Sequence, residues 1–204
     1  MNQACILVGV PIYEGIKAAP YGAQVDMFRY TDAGRREMGY AGWDDVSHVL
    51  LTVGPRISIR EARNGMVEST LRNEKFTHLL FLDDDIVPPP NLIPELLKVR
   101  QPIVGALVND ARGNPVVFAG DQYGESRWMD CPREGVFECW AIGSGAMLIE
   151  RRVLEAMQKP WFFFERNGRS MDVNFCREAR AKGFTVWCNA TAQCGQLRHE
   201  NKVM

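Results

Sequence analysis

A chain of 204 residues with 46% hydrophobic and 24% charged residues holds enough material for one α/β domain and its core, which excludes two independent domains and a disordered or fibrous chain. Its 24 basic and 25 acidic residues leave a formal charge of -1, so no overall field draws the protein to nucleic acid or anionic lipid. The opening 1–11 lacks a basic n-region and a small-residue cleavage site, and no apolar run approaches the ~20 residues of a membrane span, so a cytoplasmic protein is expected.

In chain order, the β-rich run 5–10, CILVGV, predicts a strand buried on both faces, as in a parallel sheet, stopped by Pro11. From 13 to 42 glycines are frequent and the periodicity is weak, with 24–30 able to form a short helix or strand. A second strand is expected over 46–53. A helix follows over 58–73, with Ile59, Ala62, Met66, Val67, Thr70 and Leu71 near helical spacing and Arg60, Arg63 and Asn64 on the other faces.

The short apolar strand 77–82 runs into Asp83, Asp84 and Asp85, and Pro88, Pro89 and Pro90 stop regular structure before a helix over 92–98. Beyond a strand at 103–108 come a pairing segment at 115–118 and a glycine-bearing loop at 120–135. The run 137–142 then leads through Gly143, Ser144 and Gly145 into apolar 146–149 and a helix over 152–158. Ser170 is placed to cap a helix over 171–182, Gly183 to end it, and 185–188 to form the last strand. Alternating strands and helices predict an α/β sandwich with helices on both faces of a mainly parallel sheet. The single domain takes in 1–204, with 189–204 as a C-terminal extension.

Six cysteines form no CxxC pair, and free thiols are expected. The gaps among Cys188, Cys194 and His199 match no common structural-zinc spacing. His48 and His78 read as strand-edge residues.

Ligands of such sheets bind beyond the carboxyl ends of the strands, so 11–14 and 83–85 are expected to line one crevice. Three carboxylates directly after a buried strand repel one another and lose hydration, a conflict that a bound cation relieves. In extended chain Asp83 and Asp85 share one side and Asp84 points away. Oxygen ligands favour Mg²⁺ or Mn²⁺, which take one or two carboxylates plus substrate phosphates. A solvated turn is the competing reading of the same residues.

Taken together, ILVGVPIYE from Ile6, IREARNGMVESTL from Ile59, FLDDDIVPPPNLIPELL from Phe81, WAIGSGAMLIERRVLEAM from Trp140 and SMDVNFCREARAKGFTVW from Ser170 resemble, in order, the motifs of the GT-A glycosyltransferases. The resemblance is to the large inverting family that uses nucleotide-diphosphate sugars (glycosyltransferase family 2-like), in a compact bacterial or phage form acting in the bacterial or host cytoplasm. It implies a GT-A type α/β/α sandwich and a metal-dependent transfer of a sugar to an acceptor hydroxyl, with a UDP-sugar as the favoured donor.

On the donor side the resemblance implies Pro11, Tyr13 and Glu14 bordering the base, and Arg60, Arg63 and Asn64 approaching the nucleotide. Asp83 would contact ribose or sugar, with Asp84 beside it, and Gly143, Ser144 and Gly145 would let the backbone approach the donor sugar. Asp85 and His199 would hold Mn²⁺ or Mg²⁺. Trp140 falls in the acceptor loop, and the acceptor itself is left open among a saccharide, a lipid-linked saccharide, a protein and a modified nucleic acid. Asp172 matches the general base; the family often carries Glu-Asp there, and Met171-Asp172 leaves Asp172 to act alone. The competing functions are a sugar nucleotidyltransferase, which lacks an early Gly-rich phosphate loop here, and a noncatalytic nucleotide-sugar or glycan-binding module.

Overall fold

The computed structural model describes residues 3–12, 18–36, 45–53, 57–110, 112–120, 126–165 and 170–197. Strand β1 (Gln3–Pro11) is followed by α1 (Ala18–Arg36), β2 (Asp45–Val53), α2 (Ile59–Arg72), β3 (His78–Leu82), β4 (Ile86–Val87), α3 (Leu92–Val99) and β5 (Ile103–Val108). The second half comprises β6 (Val117–Gly120), β7 (Ser126–Trp128), β8 (Val136–Cys139), β9 (Ala141–Ile142), β10 (Ala146–Glu150), α4 (Arg151–Ala156), α5 (Met171–Ala181) and β11 (Val186–Gln196).

The main sheet has the order β2-β1-β3-β10-β5-β11-β4, with β8 also paired to β11. Strands β1, β2, β3, β5 and β11 run in one direction, and β10 is reversed between β3 and β5. Strands β7, β6 and β9 form a small second sheet.

Alternation along the central strands divides the core in two. Leu7, Leu79, Phe81, Ile103, Met147 and Ile149 pack with Met66 and Val67 of α2, Val153 and Leu154 of α4 and Phe175 of α5. Their neighbours Ile6, Val8, Leu80, Leu82, Val104 and Leu148 pack on the opposite face with Met27 of α1 and Leu92, Ile93 and Leu96 of α3. Both faces are therefore covered, which is why these strands read as unbroken apolar runs. Close packing of α2 on β1 uses Gly9, where an added Cβ would lie 2.6 Å from Met66 Sδ.

Local chemistry sets the helix boundaries. Ser58 accepts from the Glu61 N–H while the Glu61 carboxylate accepts from the Ser58 N–H, a reciprocal cap on α2. Ser170 caps α5 through the Val173 N–H, and Gly183 ends its turn with a φ of 87°.

The structure differs from expectation at three elements. The weakly periodic 13–42 region contains the nineteen-residue helix α1. Its buried stripe is Pro20, Gln24, Met27 and Thr31, which has helical spacing but is half polar; Thr31 Oγ1 donates back to the Met27 carbonyl at 2.9 Å. The last strand continues past 188 to Gln196, through a register irregularity between Asn189 and Gln193. Residues 189–196 are thus part of the sheet. Before the prolines, Ile86 and Val87 form β4 against Gly195 and Gln196. No described helix is long and apolar enough to cross a membrane.

Candidate functional site

Residues Pro11, Leu82 and Val108 end β1, β3 and β5 at one edge of the sheet, and Ala146, opposite Leu82, starts the reversed strand β10 there. This topology brings the acidic turn 83–85 beside the glycine-flanked turn 143–145. The Asp83 N–H donates to the Gly145 carbonyl at 2.9 Å, and the Ile86 N–H closes the acidic turn on the Asp83 carbonyl at 3.1 Å. From the other side, the Leu197 N–H donates to the Asp85 carbonyl at 2.9 Å and Gln196 Nε2 to Asp85 Oδ2 at 2.8 Å. The acidic turn is therefore held by two strands far apart in sequence.

Arg63, on the inner face of α2 and 3% exposed, lies at the centre of the site. Its Nη2 donates to both oxygens of Asp83, at 2.8 and 3.0 Å, and Nη1 donates to Asp172 Oδ1 at 2.7 Å and to Ser144 Oγ. Ser144 Oγ donates in turn to Asp172 Oδ1 at 2.6 Å, and the Ser144 N–H to Oδ2 at 3.3 Å. The guanidinium carbon sits 5.6 Å from the Phe81 ring centre and 5.9 Å from that of Phe162, so aromatic faces keep water from it. One cation thus joins α2, the acidic turn, the 143–145 turn and α5.

Burial disfavours the charged form of Arg63, but Asp83 and Asp172 more than offset this and leave its pKa above the ordinary value. Burial pushes the Asp83 carboxyl above the usual range; Arg63 opposes, while Asp172 and Asp85 add to the rise. The cluster gathers more carboxyl groups than its single guanidinium can pair. Among the described residues no three His, Cys, Asp or Glu side chains converge into a metal cage. The donor set, carboxylate oxygens at an open strand end with Asp85 outside the Arg63 network, nonetheless suits a hard cation whose remaining ligands come from phosphates and water.

The expected site residues have diverse placements. Asp83, Arg63, Ser144 and Asp172 are brought into direct contact, and Asp84 and Asp85 lie in the same turn, partly buried. Pro11 is buried at the end of β1. Arg60 is exposed and lines an open cleft of about 350 Å³ with Glu61, Glu68, Lys159 and Phe163. Asn64, expected to approach the nucleotide, holds another segment: its Oδ1 accepts from the Trp161 and Phe162 N–H groups and its Nδ2 donates to the Phe162 carbonyl.

Gly143 has a packing reason for its missing side chain, since an added Cβ would lie 2.6 Å from Val116 Cγ1. Gly145 lends its carbonyl to Asp83. Trp140 lies over the small sheet, its indole so close to Gly120 that a Cβ there would meet it at 2.1 Å. Tyr13, Glu14 and His199 lie outside the described residues. Gln196 is not among the residues that the sequence points to; the alternation of apolar Ala190, Ala192 and Cys194 with polar Thr191 and Gln193 is the signal that extends β11 toward the acidic turn.

No protein-family model and no curated protein matches the sequence. Solved structures do match. A197 from STIV superposes with a TM-score of 0.64 at 17% identity, over 98% of this chain and 87% of that one. GalNAc-T7, solved with UDP, GalNAc and Mn²⁺, superposes with a TM-score of 0.62 at 12% identity, over 97% of this chain and 44% of that one. This chain therefore spans less than half the length of GalNAc-T7. The likeness shows the fold, an α/β/α sandwich of GT-A type with a mainly parallel central sheet.

Proposed function

We propose that this protein is a metal-dependent glycosyltransferase that moves a sugar from a nucleotide-diphosphate sugar, with a UDP-sugar favoured, to an acceptor hydroxyl with inversion at the anomeric carbon. The observation that carries the reading is the direct linkage of the acidic turn to Asp172 through Arg63 and Ser144, at the strand edge where such sheets bind ligands. Support comes from the fold shared with GalNAc-T7, a protein solved with UDP, GalNAc and Mn²⁺.

In this reading Asp172 takes the proton of the acceptor hydroxyl, which attacks the anomeric carbon from the face opposite the departing diphosphate. Asp83 receives ribose or sugar hydroxyls, with Asp84 beside it, and Pro11, Tyr13 and Glu14 border the base. Asp85 and His199 would hold Mn²⁺ or Mg²⁺, which would supply positive charge to offset that on the departing diphosphate. Arg60 faces solvent near the nucleotide side. Acceptors compatible with a hydroxyl nucleophile are a saccharide, a lipid-linked saccharide, a protein and a modified nucleic acid.

The test is a panel of nucleotide sugars with Mn²⁺ or Mg²⁺, read by nucleoside diphosphate release. Release by the wild-type protein, reduced on the order of 10²-fold or more in Asp172→Asn with donor affinity retained, is the expected result. Pyrophosphate chemistry would identify a nucleotidyltransferase instead. Donor binding without either product would identify a binding module, and loss of both folding and donor binding in Asp172→Asn would reduce Asp172 to a structural role.

A further inference from the structure

The two oxygens of Asp172 are not equivalent. Oδ1 accepts two short bonds, 2.7 Å from Arg63 Nη1 and 2.6 Å from Ser144 Oγ, whereas Oδ2 accepts only the longer 3.3 Å bond from the Ser144 N–H among the described residues. Short, charge-assisted bonds occupy the lone pairs of Oδ1 and stabilise negative charge there. Oδ2 is the oxygen with the weaker hydrogen bonding and the more open lone pairs among the described residues.

Both donors to Oδ1 are enclosed by protein. Ser144 is fully buried and Arg63 is 3% exposed, so water approaches these bonds only from the side of Asp172, whose side chain is 22% exposed. The 143–145 turn is pinned at both ends, through the Gly143 N–H to the Val116 carbonyl and the Gly145 carbonyl to the Asp83 N–H, both at 2.9 Å. Arg63 is fixed by its fork on Asp83 and by the flanking rings of Phe81 and Phe162. A carboxylate held by one oxygen from two rigid donors cannot rotate to exchange its oxygens without breaking both bonds.

We infer that Arg63 and Ser144 are a positioning pair that fixes the Asp172 carboxylate through Oδ1 and presents Oδ2 as the atom that accepts the proton. The inference rests on the transferase reading above and adds to it the identity of the working oxygen and the residues that select it. The acceptor hydroxyl proton passes to Oδ2 as the hydroxyl oxygen bonds to the anomeric carbon. The bond from that carbon to the diphosphate oxygen breaks, and its electron pair leaves with the nucleoside diphosphate. The Arg63 guanidinium and the Ser144 hydroxyl bond to Oδ1 rather than to the proton-accepting Oδ2, and act through the Asp172 carboxylate.

The experiment measures kcat, donor affinity by titration and thermal midpoint for wild type, Ser144→Ala and Arg63→Lys with the best donor of the panel. Ser144→Ala removes one anchor of Oδ1 with little change of volume. It is expected to lower kcat by roughly 10- to 100-fold, a fraction of what the base itself supplies, with donor affinity within about threefold of wild type. Arg63→Lys keeps the charge but loses the fork, and is expected to lower kcat and weaken donor binding together, because Arg63 also holds Asp83.

An unchanged kcat in Ser144→Ala overturns the positioning role while leaving the transferase reading intact. So does a parallel fall of kcat, donor affinity and thermal midpoint in Ser144→Ala, which is the signature of a merely structural residue. Wild-type protein that turns over no nucleotide sugar overturns the transferase reading, and this role with it.

Discussion

A guanidinium as deeply buried as that of Arg63 is tolerated because two carboxylates and two aromatic rings replace its water. His78 shows the opposite solution to burial. Almost inaccessible on β3, it loses more by desolvation than the nearby Glu150 returns, and its pKa falls to about 4 from an ordinary 6.5. The unfolded chain therefore binds a proton that the folded protein refuses between those values. His78 contributes stability that is fully present above about pH 6.5 and is lost as the pH falls toward 4, a loss on the order of 3 kcal/mol. Chemical denaturation at pH 7 and pH 4.5 should show this loss in wild type and a smaller one in His78→Gln; equal losses would remove His78 as its source. Of these residue-level features, the acidic turn and Asp172 were legible because their types and neighbours carry the signal. The joint contacts of Arg63 and Ser144 were not, since the partners of Arg63 stand 20, 81 and 109 residues away in sequence and meet only where α2, the end of β3, the turn before β10 and the start of α5 converge.

Elements were legible where apolar residues dominate the buried positions, on both faces of β1, β3 and β5 and along Ala62, Met66 and Val67 of α2. They were obscured where polar side chains are buried, as with Gln24 and Thr31 on α1 and Asn189 on β11. A less visible device is the termination of α2. Arg151, the first residue of α4, donates from Nη1 to the Thr70, Asn73 and Phe76 carbonyls and from Nη2 to the Leu71 carbonyl, at distances between 2.8 and 3.3 Å. It thus satisfies the Thr70 and Leu71 carbonyls that the last turn of α2 leaves without helical partners, binds two carbonyls of the turn that follows, and places a cation at the negative end of the dipole. Because α2 also carries Arg63, this cap anchors the far end of the helix that positions the site. Arg151→Ala should cost about 2 to 3 kcal/mol of unfolding free energy, within the range for hydrogen bonds from a charged group. Arg151→Lys should recover only part of it, because an ammonium cannot span the four carbonyls in a fork. Denaturant midpoints of the three proteins test this, and a Lys variant equal to wild type would show that charge alone suffices.

For the whole molecule, the question is whether the two cores divided by the sheet behave as one unit. Each central strand contributes alternate residues to both, so unpacking one face strips support from the backbone hydrogen bonds that the other face needs. The cysteines supply a probe of this coupling. Cys188 belongs to the core under α2, α4 and α5, and Cys194, six residues along the same strand, to the core under α1 and α3. Both are buried and free, and burial raises each thiol to about pKa 12, which suppresses the reactive thiolate at neutral pH. In variants that retain Cys188 alone or Cys194 alone, labelling by an aromatic disulfide reagent in native buffer should be limited by opening of the protein. If the sheet makes the cores one cooperative unit, the two thiols should be labelled at equal rates, and those rates should respond equally to denaturant. A Cys194 rate many times faster than that of Cys188 would mean that the α1–α3 face opens by itself, and that the end of β11 beside Asp85 moves independently of the Arg63 network.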